Sequence, residues 1–319
     1  MNGQTSPTRP IATLTLNPAI DVSYEIPRLV PDQKSHATAT RTDPGGNGIN
    51  VGRALRVMGV PAANFCIMAG NAGTLLETLL EDQIDHVDCE RVEGETRINA
   101  TVLEAASESQ YEVTGIGPFV PAVVLSKVLG RFLDRVEGGF GILSGSVPPG
   151  VPSDIYGEMV RRVRECGGLA VVDAHGALLR ESLALRPFLI KPNRYELSLL
   201  LGKEVPRIED VAEEARLLVR QGIGYVCVSL GAEGALLAGP EGTFHAKAPP
   251  IVVKCTVGAG DSMVAGLIAA FSRGESAAEA LRLAVACGSG TAAQPGTAIF
   301  TAGQLQELLA RTEVSALDI

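Results

Sequence analysis

Short apolar runs recur along the chain, and most end in a polar or glycine-rich turn. Residues 11–16, 63–69, 87–92, 140–143, 169–172, 188–190 and 225–229 read as strands. Between them lie amphipathic stretches: 74–80, 121–136, 153–166, 177–185, 194–201 and 208–221 read as helices. A further helix starts after the glycines near residue 46 and stops at Gly59. Residues 235–238 and 243–248 read as two more strands, and a small-residue helix covers 263–271. Strands that alternate with helices predict an α/β fold, a doubly wound and mostly parallel sheet.

Four segments break this rhythm. Residues 22–26, 34–41, 97–104 and 110–115 are more polar strands, and the last two form a hairpin around residues 106–109. They predict one small sheet, inserted in two pieces and open to solvent on one face. The expected organisation is an α/β domain from 11–21, 42–96 and 116–319, a β lid from 22–41 and 97–115, and a disordered lead-in at 1–10.

The polar groups are not scattered at random. Asp21, Ser144, Asp173, Lys191, Asn193, Ser229 and Asp261 each follow an extended apolar run. In a parallel sheet those ends share one edge, where ligands collect. The stretch 254–263 is the most informative. Gly258, Ala259 and Gly260 leave backbone N–H groups uncovered at a helix start, which makes an anion site. Asp261 in the same turn places a carboxylate beside that anion, where it can take a proton from an attacking hydroxyl. An ordinary turn aspartate has the same local look.

The glycine segment 45–52 is a second place where backbone approaches a ligand. It lacks the third glycine of the dinucleotide fingerprint, and a Walker A loop occurs nowhere. That disfavours a nucleotide-dependent dehydrogenase. Asn193 and Glu196 stand three apart at a helix start, an oxygen pair that suits Mg²⁺ held partly through water and phosphate. Glu196 also reads as a plain N-terminal helix partner.

Composition narrows the partners. Lys plus Arg is 27 and Asp plus Glu is 36, a formal charge of −9. Nucleic acid and anionic membrane surfaces are disfavoured, and no apolar run reaches the ~20 residues of a membrane span. The six cysteines show no CxxC spacing, so reduced thiols and a cytoplasmic location are expected.

Three segments together resemble the ribokinase-like (PfkB) carbohydrate kinase family. They are Gly45-Gly46-Asn47-Gly48-Ile49-Asn50-Val51, Lys191-Pro192-Asn193-Arg194-Tyr195-Glu196 and Thr256-Val257-Gly258-Ala259-Gly260-Asp261-Ser262. The similarity runs from about residue 11 to 297. It is nearest to the phosphosugar branch, the 6-phosphofructokinases, 1-phosphofructokinases and tagatose-6-phosphate kinases. Segments 14–21 and 144–150 carry that closer likeness.

The resemblance implies roles. Asp261 is the implied base, with Gly258, Ala259 and Gly260 as the anion hole. Lys191, Asn193, Ser229, Gly231, Gly234 and Ser289 are implied around ATP, and Asn193 and Glu196 around Mg²⁺. Asp21, Gly45, Gly46, Asn47 and Asn50 are implied to hold the sugar, and Lys34, Arg97 and Ser144 its phosphate. A K⁺ site is implied near Cys255, Val257, Thr291, Gly296 and Ala298, and a homodimer through the lid sheet.

Two positions depart from the family pattern. His36 stands where the 6-phosphofructokinases carry arginine, and Asn47 where relatives carry lysine or glycine. Both touch the sugar-phosphate end. The implied reaction is phosphorylation of a hexose phosphate by ATP, with fructose 6-phosphate the favoured acceptor. Fructose 1-phosphate and tagatose 6-phosphate are the alternatives. A noncatalytic sugar-phosphate-binding protein is the rival of a different class.

Overall fold

In the computed structural model, which describes residues 9–317, the apolar runs pair side by side as strands. In chain order the first half holds β1 (Ile11–Thr15), β2 (Ala19–Ile26), β3 (Ala39–Gly45), α1 (Asn47–Val57), β4 (Ala63–Ala69), α2 (Gly70–Leu80), β5 (His86–Val92), β6 (Arg97–Glu104) and β7 (Ser109–Val113). Next come α3 (Ala122–Val136), β8 (Phe140–Ser144), α4 (Ile155–Glu165), β9 (Leu169–Asp173), α5 (Gly176–Leu183), β10 (Leu189–Ile190), α6 (Arg194–Leu201) and α7 (Ile208–Arg220). The last part holds β11 (Tyr225–Ser229), β12 (Ala235–Gly239), β13 (Gly242–Ala246), α8 (Ala259–Ser272), α9 (Ala277–Ala292), α10 (Ala302–Arg311) and β14 (Val314–Ala316).

Among the described residues one sheet has the order β14-β13-β12-β11-β10-β9-β8-β1-β4-β5. Strands from β11 to β5 run parallel, and β12, β13 and β14 close one edge antiparallel. The central strands show no polar alternation because helices cover both faces: every residue of β1, β4 and β8 is buried. On one face α3, α4, α5, α6 and α7 pack around Leu14, Phe132, Tyr156 and Val172. On the other, α1, α8, α9 and α10 pack around Val51, Ile142, Leu267 and Ala284.

The smaller sheet has the order β3-β2-β6-β7. The two pairs read from the sequence join through parallel β2 and β6, with Asp21 opposite Asn99. β3 runs antiparallel to β2 and sets Asp43 opposite Asp21. β2 begins at Ala19 and β3 ends at Gly45, so both extend past 22–41.

Two local expectations need correction. The strand placed at 34–41 lies at 39–45, and residues 31–38 are an exposed segment in which Asp32 has φ +59°. Pairing with β2 sets this register. α8 starts at Ala259 rather than Met263, because Gly258 adopts the left-handed conformation (φ +80°) and turns the chain into the helix. α9, α10 and β14 carried no expectation. α9 is buried almost all round, so it has no polar face to give a period. Residues 1–8 of the expected lead-in lie outside the described residues.

α8 and α9 approach closely. A Cβ on Gly266 would fall 2.7 Å from Ala284 Cα and 2.9 Å from its nitrogen. In an open helix Gly→Ala would stabilise by ~0.5–1 kcal/mol. Here the collision is with backbone, and overpacking of that kind costs ~1–3 kcal/mol. Gly266→Ala is therefore expected to lower Tm in a calorimetric scan; an unchanged or higher Tm would show that the helices are not in contact there.

Candidate active site

The carboxyl ends of β9, β10 and β11 and the N-terminus of α8 meet in one cleft of about 850 Å³. Asp173, the last residue of β9, and Lys191, just past β10, form a buried ion pair at 3.2 Å. A Cβ on Gly260 would lie 2.9 Å from Lys191 Nζ, so the ammonium stands against the first turn of α8. The Ala259 amide donates to the Thr256 carbonyl (3.2 Å) and that of Ser262 to Gly258 (3.0 Å). Between them the amides of Gly260 and Asp261 have no protein acceptor among the described residues. Free amides, the helix dipole and a cation at one point suit an anion.

Asp261 is buried in that turn. Asn47 Nδ2 donates to its Oδ1 and Asn50 Nδ2 to its Oδ2, each at 2.9 Å. Both asparagines sit in the first turn of α1, which Gly46 (φ +118°) starts at the end of β3. Burial and the Asp173 charge raise the Asp261 pKa to about 7, against the pull of Asn50, Lys191 and Asn47. A carboxyl poised there can exchange a proton near neutrality. Burial works against the Lys191 charge, but Asp173, Glu196 and Asp261 outweigh it and hold its pKa above the ordinary value.

The small sheet contributes the opposite wall. Asp21, Arg97, Asn99 and Thr101 line the cleft. Asn99 Nδ2 donates to Asp21 Oδ1 at 2.8 Å, and burial raises the Asp21 pKa despite that bond and nearby Arg97. Arg97 Nε donates to the Asn17 carbonyl at 3.1 Å, which fixes the guanidinium stem. Its terminal nitrogens have no protein acceptor among the described residues. Burial lowers its pKa, with Asp21 opposing.

At the other end the cleft is lined by Ser229, Gly231 and Gly234, by residues 248–251 and by Val285, Gly288 and Ser289 of α9. Asn193 and Glu196 sit at its rim as a capping box. Asn193 Oδ1 accepts from the Glu196 amide, and Glu196 Oε2 accepts from the Asn193 amide, both at 2.8 Å. No cluster of three His, Cys, Asp or Glu side chains suited to a metal occurs among the described residues. The pair still fits Mg²⁺, an ion that keeps water and phosphate oxygens as ligands and needs few from protein.

Several expected residues are not at the cleft surface. Lys34 is exposed in segment 31–38, away from the lining, because β3 begins only at Ala39. Ser144 is fully buried, with Oγ 3.4 Å from the Asp173 carbonyl, since the last residue of β8 is still inside the sheet. Gly45 packs beneath the site: a Cβ there would fall 2.4 Å from the Asp21 carboxylate.

Of the remaining expected group, the stretches around Cys255 and Thr291 meet. The Lys254 and Cys255 amides donate to the Ala292 carbonyl at 2.9 and 3.3 Å, which joins segments 254–258 and 291–298. Val257 lines the cleft, and Thr291 Oγ1 bonds Ser262 Oγ at 2.7 Å. Gly296 (φ +59°) lies against Arg41 and Asp43, and the Ala298 amide donates to the Pro295 carbonyl at 3.4 Å.

Asn99 and the α9 lining residues Val285, Gly288 and Ala292 carried no expectation. Asn99 was findable, since it lies two residues after Arg97 and a strand presents alternate residues to one face. Asp173 was seen as a strand-end group but given no role.

The chain is similar to known proteins along nearly its whole length. The family model described as "pfkB family carbohydrate kinase" matches residues 12–302. The 1-phosphofructokinase of Bacillus subtilis (strain 168) is 32% identical over 309 residues, 96% of this chain and 100% of that protein. The ATP-dependent 6-phosphofructokinase isozyme 2 of Escherichia coli (strain K12) is 33% identical over 302 residues, 94% of this chain and 98% of that one.

Among solved structures, phosphofructokinase-2 from Escherichia coli in complex with substrates and products superposes with TM-score 0.90 at 33% identity, covering 94% of this chain and 98% of that one. The ribokinase of Arabidopsis thaliana, 22% identical with TM-score 0.76 over 94% of this chain and 99% of that one, shares the fold. The sheet with its smaller companion is thus the ribokinase-like α/β fold, and the chain belongs to the pfkB family of carbohydrate kinases, as an ATP-dependent phosphosugar kinase.

Proposed function

We propose that this kinase transfers the γ-phosphoryl group of ATP to a primary hydroxyl of fructose 6-phosphate, with Asp261 as the base. The observation that carries the base assignment is a buried carboxylate at a helix N-terminus, held on both oxygens by amides and flanked by Lys191. Phosphoryl transfer asks mainly for positioning and for neutralisation of the moving charge. The α8 amides and Lys191 receive the charge. Asp261 takes the proton as the hydroxyl oxygen bonds to phosphorus and the bond to ADP breaks. ATP lies along Ser229, Gly231, Gly234 and Ser289. Asn193 and Glu196 would hold Mg²⁺ partly through water, and the ion would supply charge neutralisation at the phosphates of ATP. A K⁺ ion bound by carbonyls of segments 254–258 and 291–298 is part of the same reading. One structural neighbour is a phosphofructokinase-2 described in complex with potassium.

Asp21, Gly46, Asn47 and Asn50 face the sugar, and Arg97 meets its phosphate. Fructose 6-phosphate is favoured because a neighbour at TM-score 0.88 and 32% identity is a phosphofructokinase-2 in complex with fructose-6-phosphate. Fructose 1-phosphate is the second reading, because relatives of similar identity are 1-phosphofructokinases. A kinase assay across a panel of hexose phosphates decides between them. Absence of ADP release with every member would leave a noncatalytic sugar-phosphate binder.

The outer face of the small sheet is the proposed homodimer contact. Tyr24, Ile98, Tyr111 and Val113 are exposed there, with Ile98 at 55%. A relative described as the tetrameric inhibited form of phosphofructokinase-2 shows that assembly occurs in the family.

Asp261→Asn is expected to lower kcat at least ~10²-fold with little change in ATP binding. In the unaltered enzyme kcat/KM falls as pH drops through about 7, where Asp261 gains its proton. Near-normal turnover in the variant would refute the base assignment. Arg97→Met removes a charge-assisted contact and is expected to raise KM ~10-fold or more for the phosphorylated sugar, but not for its unphosphorylated parent. Equal losses on both acceptors would remove the phosphate role. Sedimentation is expected to give a dimer and Ile98→Glu a monomer; a monomeric parent chain rules this contact out.

A further inference from the structure

Arg53 lies on α1, one turn after Asn50, and is buried at 4% exposure. Its Nη1 donates to Asn50 Oδ1 at 2.8 Å, to the Thr297 carbonyl at 3.0 Å and to the Pro44 carbonyl at 3.2 Å. Its Nε donates to Gln83 Oε1 at 2.8 Å. The Asn50 amide is therefore held between a cation on its oxygen side and the Asp261 carboxylate on its nitrogen side. Rotating that amide by half a turn would set its NH₂ against the guanidinium and its oxygen against the carboxylate. Both contacts would be repulsive, so one orientation is fixed. Asn47 has no such anchor and is only half-buried.

We propose that Arg53 is a positioning residue for phosphoryl transfer. It locks Asn50 so that Asp261 Oδ2 stays hydrogen-bonded, which leaves Oδ1, released by Asn47, as the oxygen that accepts the substrate proton. This rests on the reading of Asp261 as the base. Without the lock the carboxylate can rotate and present either oxygen at the wrong angle to the hydroxyl.

The same contacts tie the site to the small sheet. Pro44 is the penultimate residue of β3, and the Thr297 amide donates to Asp43 Oδ2 at 3.2 Å. Arg53 thus joins the stem of the small sheet, segment 295–298 and the base. Burial lowers the Arg53 pKa to about 10, with Asp43, Asp21 and Asp261 opposing and Arg41 reinforcing that fall, so it stays charged at neutral pH. The other charged groups facing Asp261 are Asp173 and Lys191.

The test is a double-mutant cycle with Arg53→Lys, Asn50→Ala and both. Arg53→Lys keeps a cation in place but loses the fork. Asn50→Ala removes the middle of the relay and leaves the carbonyl partners of Arg53 intact. Each single change is expected to lower kcat ~10–100-fold, the loss that follows when a reacting group is displaced by about 1 Å. KM for ATP is expected to stay within about twofold, since neither residue lines that end of the cleft. Loss of the Asn50 hydrogen bond raises the Asp261 pKa, so the acid limb of kcat/KM moves to higher pH.

The double variant is expected to be no worse than the poorer single, because residues acting through one another are not additive. Additive losses, or an acid limb that stays in place, would overturn the relay. The base reading fails separately, through an active Asp261→Asn. Should Arg53→Lys fold poorly, Arg53→Gln replaces it in the cycle, and an acid limb unmoved in that variant overturns the positioning role of Arg53.

Discussion

A single buried carboxylate constrains the active end of this molecule. Asp261 sits where the dipole of α8 favours negative charge, yet burial and the nearby Asp173 oppose it. The net result is a pKa raised to about 7, so the charged form remains disfavoured relative to a carboxylate in water. Amides from Asn47 and Asn50 and the ammonium of Lys191 offset much of the opposing burial. Remove any one and the balance between proton held and proton lost shifts. The surrounding elements serve that balance: α1 supplies the amides, β9 and β10 the ion pair, and Gly258 the turn that lets α8 begin there.

That balance explains why glycine is needed at particular points. Gly260 makes room for the Lys191 ammonium, and Gly45 for the Asp21 carboxylate. In each case a methyl group would displace a charged side chain of the cleft. Gly266 serves a different need: it lets α9 press against α8, so the α9 residues that line the cleft and the helix that carries Asp261 are one packed unit. Small residues at these points convert backbone proximity into a rigid site.

The small sheet does two things with one alternation. Its inner residues, Asp21, Arg97 and Asn99, are polar and bonded to one another or to the backbone. Its outer residues, Tyr24, Ile98 and Tyr111, are apolar and exposed. A strand period of two puts the polar cleft wall and the exposed apolar face on opposite sides of one sheet. The Arg53 network then links the stem of this sheet to the base across segment 295–298.

The alternation of strands and helices, the convergence of polar groups at strand ends and the special turn at 258–261 are legible along the chain. These are local or periodic signals: apolar runs too short for helices, glycines before a helix, polar residues after strands. The candidate anion site at 258–260 and Asp261 beside it followed from them, whereas a phosphate role for Arg97 came only with the family resemblance. Only the tertiary structure decided that Ser144 is sealed inside the sheet, that Lys34 lies outside the cleft and that Asn193 and Glu196 close a capping box. It also decided that Arg53, an unremarked residue on a helix, reaches the base through Asn50. Burial depth, strand register and which oxygen an amide faces depend on contacts between residues far apart in the chain. The bond from Asn50 to Asp261 spans 211 positions, and no spacing along a chain encodes it.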